Sequence, residues 1–171
     1  MSELINKVAE SGIVTIDLTS YIPDEENIAV FDLKPFLFRE MILREKDYRQ
    51  SLKEFDWTVY ENKHVAVFCS VDAIIPIWAY MLATSYLEEV ATSVFYGTAE
   101  ALTANLIKNK VATIDVSEYE DKRVVLKGCG DKAIPETAYV EATQLLKPVV
   151  KSLMYGEPCS TVPIYKKKVV R

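Results

Sequence analysis

Apolar positions along the chain fall into two rhythms. Short runs dense in β-branched and aromatic residues alternate with longer stretches in which apolar residues return every three or four positions, the pattern of strands interleaved with helices. Residues 13–18 and 28–33 predict strands on either side of the turn-rich Pro23-Asp24-Glu25-Glu26-Asn27, and residues 36–43 predict a further strand. Residues 2–10 predict a short helix, 45–55 an amphipathic helix and 99–110 another helix. The most apolar stretch, 73–87, is broken by Pro76 and carries Thr84 and Ser85. It falls short of the ~18 residues that a membrane span needs, and it reads as a buried core helix.

The pattern repeats. Sliding the chain along itself by 59 positions aligns residues 56–97 with 115–156 without a gap, and about 17 of the 42 aligned positions are identical. Tyr60-Glu61-Asn62-Lys63 matches Tyr119-Glu120-Asp121-Lys122, while Asp72, Ile75, Pro76, Ala79, Tyr80, Ala83 and Thr84 match Asp131, Ile134, Pro135, Ala138, Tyr139, Ala142 and Thr143. Each copy opens on a β-prone run, 64–68 or 123–127, and continues through a loop of about six residues. A helix follows, with Pro76 or Pro135 expected as its first residue, because proline has no N–H to lose there. These helices run to Leu87 and Leu146, and a second β-prone run, 92–96 or 151–155, ends at Gly97 or Gly156. Each copy is therefore a β-α-β unit, whose two strands should be parallel. The expected fold is α/β: a mostly parallel sheet built from the duplicated β-α-β unit (56–97 and 115–156), with an amino-terminal β-rich third covering one face or edge.

Length and charge narrow the function. At 171 residues, half of them hydrophobic, the chain is expected to form a single domain over 1–171. A net charge of −5 argues against nucleic acid as a partner, since phosphate binding draws on a clustered basic surface. The basic run Lys166-Lys167-Lys168-Val169-Val170-Arg171 reads as a solvated terminus. The opening Met1-Ser2-Glu3-Leu4-Ile5-Asn6-Lys7 lacks the basic stretch and apolar run of a secretory signal, so a cytoplasmic location is expected, with no membrane partner. Phosphate-binding Gly-x-x-x-x-Gly-Lys, dinucleotide-binding Gly-x-Gly-x-x-Gly and the Gly-x-Ser-x-Gly nucleophile elbow are all missing, which leaves any reaction class open.

The candidate chemistry lies in three cysteines. Ligands of open parallel sheets bind beyond the carboxyl ends of the strands, and Cys69, Cys129 and Cys159 all follow expected strand ends. Asp72 and Asp131 occupy the same place in the two copies. Three thiolates with an aspartate as fourth ligand suit zinc or an iron-sulfur cluster. Equally, free cysteines serve as small buried hydrophobes, and no Cys-x-x-Cys pair marks a local metal motif. A nucleophilic cysteine would lack its base: the only histidine, His64, sits at the far end of its strand from Cys69, roughly 16 Å away, and reads as a solvent-facing strand start. Trp78, Tyr80 and Tyr139 read as core packing. A different reading makes the chain a non-enzymatic interaction module, or a homo-oligomer, whose partner surface includes the apolar and basic segment 162–171.

Three segments carry a family resemblance: Cys69-Ser70-Val71-Asp72-Ala73-Ile74-Ile75-Pro76-Ile77-Trp78-Ala79-Tyr80-Met81, Lys127-Gly128-Cys129-Gly130, and Tyr155-Gly156-Glu157-Pro158-Cys159-Ser160-Thr161-Val162-Pro163-Ile164-Tyr165. In these the chain resembles the domain of unknown function 2480 family, nearly end to end. The resemblance implies no established activity and transfers no catalytic residue. It does imply an association with Suf-type iron-sulfur assembly proteins, which favours the metal reading of Cys69, Cys129, Cys159, Asp72 and Asp131.

Overall fold

A computed structural model describes residues 12–127, 133–157 and 159–168. Two compact units emerge: one is Pro23–Thr103, and the other combines the residues up to Ile22 with those from Ala104 onward. The first holds copy one of the repeat and the second holds copy two.

In the copy-one unit, strands β2 (Ile28–Asp32), β5 (His64–Phe68) and β6 (Ser93–Tyr96) form a parallel sheet in the order β2-β5-β6. The copy-two unit aligns β1 (Ile13–Asp17), β7 (Arg123–Lys127) and β8 (Ser152–Glu157) in parallel, and adds the antiparallel β9 (Ser160–Lys166). The mostly parallel α/β fold expected from sequence is thus present, but its strands form two principal sheets rather than one. The amino-terminal third supplies an edge strand to each, β1 to copy two and β2 to copy one.

Register carries the 59-residue spacing into the structure. Val65 pairs with Val94 and Val124 with Leu153, while Ile28 faces His64 and Ile13 faces Arg123. The same local chemistry opens both copies. Asp56 accepts from the amide and hydroxyl of Thr58 (3.1 and 2.6 Å), as Asp115 does from Ser117 (3.0 and 2.6 Å). Asn62 and Asp121 then adopt φ of 60° and 54°, a left-handed turn that short polar side chains tolerate.

Helices α1 (Glu45–Glu54), α2 (Ile77–Leu87), α3 (Ala99–Val111) and α4 (Glu136–Leu146) fall close to their expected places. Pro76 and Pro135 stand one position earlier than expected. With ψ of 139° and 146° they are N-caps rather than first helical residues, and their carbonyls accept the first helical bonds from Ala79 and Ala138. Residues 36–43 are not one strand. A 3-10 turn leads into the two-residue strands β3 (Leu37–Phe38) and β4 (Ile42–Leu43), an antiparallel pair whose turn places Arg39 and Glu40 at positive φ. The helix expected at 2–10 lies outside the described residues.

The cores repeat too. Phe31, Leu33, Val65, Val67, Ala79, Ala83 and Leu87 are buried in copy one. Ile16, Leu18, Val124, Leu126, Ala138, Ala142 and Leu146 are buried at the matching places in copy two. Alanine at two successive inward turns of α2 and α4 lets each helix lie close on its sheet. Copy one adds a cluster of rings around Phe31, which stacks with Phe36 and Trp57 at centroid distances of 5.4 Å. Tyr48, fully buried there, donates its hydroxyl to the Ala79 carbonyl at 3.0 Å, and burial pushes its pKa well up.

Candidate functional site

At the carboxyl edge of the copy-one sheet, Asp32 joins two strand ends. One of its carboxylate oxygens accepts the amides of Lys34 (2.9 Å) and Ser70 (3.0 Å), and the other accepts the Ser70 hydroxyl at 2.5 Å. Burial pushes the Asp32 carboxyl up, but the Ser70 hydroxyl and the two amides outweigh it and hold the group below the ordinary carboxylate value. Beside this clamp the Tyr80 ring meets Tyr96 edge-on, with centroids 5.2 Å apart. Burial raises the Tyr80 hydroxyl pKa, helped by Tyr96, Cys69 and Asp32 nearby. Neither Asp32 nor Tyr96 was singled out from sequence. The usable signal was the repeated Ile-x-x-x-Asp-Leu of residues 13–18 and 28–33.

Copy two departs from this arrangement. Asp17, the counterpart of Asp32, turns to its own chain and accepts the amide and hydroxyl of Thr19 (2.9 and 2.6 Å). Those bonds lower its pKa against a small burial effect, with a further contribution from Lys127. Lys127 stands where copy one has Phe68, and it pairs with Glu157 at 3.5 Å. Tyr139 and Tyr155 repeat the edge-on ring contact at 5.6 Å.

The proposed metal ligands distribute unevenly. Cys69 directly follows β5 and packs, half-buried, against the copy-one core, the behaviour of a small hydrophobe. Asp72 is exposed in the loop before α2. Cys159 is exposed in the turn between β8 and β9 of the other unit. Cys129 and Asp131 lie outside the described residues. Among the described residues no group of three or more His, Cys, Asp or Glu side chains is placed to hold a metal ion. His64 is half-buried rather than solvent-facing, and its Nδ1 lies 2.7 Å from the Ser93 hydroxyl.

The feature that sequence reading missed is apolar. Helix α2 contains no charged residue, which suggested full burial, yet only one face is buried, through Ala79, Ala83 and Leu87. Its other face is open. Ile74, Ile77, Met81 and Tyr96 are 92, 78, 67 and 72 % exposed. Ile77, Tyr80, Met81, Thr84, Ser85 and Tyr96 line a groove of about 640 Å³. A neighbouring groove of about 480 Å³ is lined by Met41, Ile42, Asp72, Ala73, Ile74 and Pro76. Pro76 of this lining directly precedes Ile77 of the first, and Ile42 bridges to Ile74 through the backbone. In α4 the equivalent outward stripe reads Glu136, Val140, Gln144. The two helices thus share their inward residues and differ on their outward faces.

Repeated parallel β-α-β units, each extended by a distant edge strand, define an α/β protein. The chain belongs to the family described as protein of unknown function (DUF2480), whose family model matches residues 2–167. This is the family that the three cysteine-bearing segments resemble. No curated protein and no solved structure matches the chain. No helix among the described residues is long and apolar enough to cross a membrane.

Proposed function

We propose that this chain is an interaction module that docks a protein partner on the outward face of α2. What supports the reading is the run of exposed Ile74, Ile77, Met81 and Tyr96 with Met41 and Ile42 beside them. Contiguous apolar surface beyond a few hundred Å² is rare on a surface that serves only solvent. The segment 162–171 is a poorer docking strand than its composition suggests. Its first residues belong to β9, which already pairs with β8, and Pro163 and Lys166 blunt the remaining edge.

A photo-crosslinking side chain in place of Met81 tests the reading, with the same side chain in place of Val140 as control. Discrete adducts at Met81 that disappear with Ile77→Glu are expected. An adduct pattern no different from that at Val140 would remove α2 as a docking face.

A second proposal is a thiolate-held zinc or iron-sulfur site serving Suf-type assembly partners, with Cys69, Cys129, Cys159 and Asp72 or Asp131 as ligands. Its support is the place of Cys69, directly beyond the carboxyl end of β5. Iron or zinc in anaerobically purified protein, lowered by Cys129→Ser, is the expected result. Metal-free protein that stays so after reconstitution would dispose of it. For the compartment we propose the cytoplasm, because Cys69 and Cys159 are free thiols.

A further inference from the structure

We infer that the partner seated on this face is a second copy of the chain, with two α2 helices packed antiparallel about a twofold axis close to Met81. The inference rests on the docking reading above and names its occupant. Four observations point to self-association.

The first is the order of sizes along the stripe. Ile77 stands at one end, Met81 in the middle, and the small Thr84 and Ser85 at the other. A twofold contact is self-complementary, so residue i meets j while j meets i. Antiparallel pairing centred on Met81 sets Ile77 of each helix against Ser85 of the other, a large side chain into a small one at both ends.

The second is charge. No formal charge lies on the helix stripe from Ile77 to Ser85, so that part of the face meets its own image without like-charge repulsion, while Asp72 lines the adjoining groove. Just beyond it, Glu88 and Glu89 stand at the carboxyl end of α2, where acidic groups oppose the helix dipole. Copy two carries Lys147-Pro148 there, the sign the dipole favours. Antiparallel pairing brings Glu88 opposite Ile74 at the amino end of the partner helix, where Pro76 offers no side-chain cap and the helix dipole favours negative charge, against the repulsion of Asp72 close by.

The third is area. Ile74, Ile77, Met81, Tyr96, Met41 and Ile42 are each more than half exposed, and burying this whole set would approach the roughly 800 Å² that each partner contributes to a standard stable interface. The fourth is valence. With Glu136 at the place of Ile77 and Gln144 at the place of Ser85, α4 offers no second stripe of this kind. With one such face among the described residues the contact closes at two copies, whereas two would permit open chains.

Sedimentation of the full chain between about 1 and 100 µM tests the inference, with a dimer of the 19.4 kDa chain expected. Ile77→Glu installs the residue that copy two carries at the matching helix start, so the helix should form normally. It should leave the far-UV circular dichroism unchanged and give monomer throughout the range. Met81→Cys should form a disulfide with itself across the axis on mild oxidation, located by mass spectrometry of the linked peptide. Wild-type protein that stays monomeric at about 100 µM overturns the inference. So does a dimer that survives both Ile77→Glu and Met81→Lys with no link through Met81→Cys. The photo-adduct at Met81 separates this failure from that of the docking reading. A discrete adduct with a different protein leaves the docking face standing without a second copy, and no adduct removes both.

Discussion

Asp32 illustrates how one side chain ties a sheet edge together. Its carboxylate holds the end of β2 to the first residues beyond β5, so the loop carrying Cys69 and Ser70 is tied at its start. The group's folded pKa lies below its unfolded value near 4, so its ionised form contributes stability above about pH 4. That contribution is lost as pH falls through the lowered folded pKa. Asp32→Asn should therefore cost about 1 kcal/mol at pH 7, the usual scale of a solvent-screened bond to a charged group. The gap from wild type should close in acid. Denaturant unfolding at pH 7 and at pH 3 measures both values, and a gap that is absent at pH 7, or unchanged at pH 3, would contradict the assignment.

Helix α2 joins two surfaces with opposite demands. Toward its sheet it presents Ala79, Ala83 and Leu87, all fully buried, and toward solvent it presents Ile77 and Met81. Leu87→Ala should destabilise by about 2–5 kcal/mol, the range for a truncated core leucine, and Leu146→Ala in α4 should cost a similar amount. Met81→Lys should stay within about 0.5 kcal/mol of wild type when measured below micromolar concentration, where association adds nothing. Chemical denaturation compares the three. A loss at Met81 as large as that at Leu87 would mean that the outward face packs within the chain and has no vacancy for a partner.

For the whole molecule, the two copies share the inward residues of their strands and helices and differ around them. Copy one has an uncharged helix face, an aromatic cluster around the buried Phe31 and an acidic helix end. Copy two has the Lys127–Glu157 pair and the added strand β9. Division of labour follows: copy one presents the surface that we assign to docking, and copy two closes its own sheet. If that surface takes a second copy, the melting temperature should rise with protein concentration for wild type and be independent of it for Ile77→Glu, because association stabilises by mass action.

The sequence by itself determined what depends on neighbours along the chain. The strands and helices of the two β-α-β units, and the matched Ala79, Ala83, Ala138 and Ala142, are local patterns, and the repeat states each of them twice. Family membership was legible in the same way, from the segments around the three cysteines. Tertiary structure decided what depends on distant partners. Ile13 pairs with Arg123, 110 residues away, and nothing in a five-residue apolar run says which copy it will join. The division into two sheets was hidden for that reason. β9 was hidden because Pro163 and the lysines that suit an edge strand also suit a loop. The exposure of Ile77 and Met81 was hidden because a helix apolar all round signals burial, and only the packed structure tells a helix buried within the chain from one with a face left open to solvent.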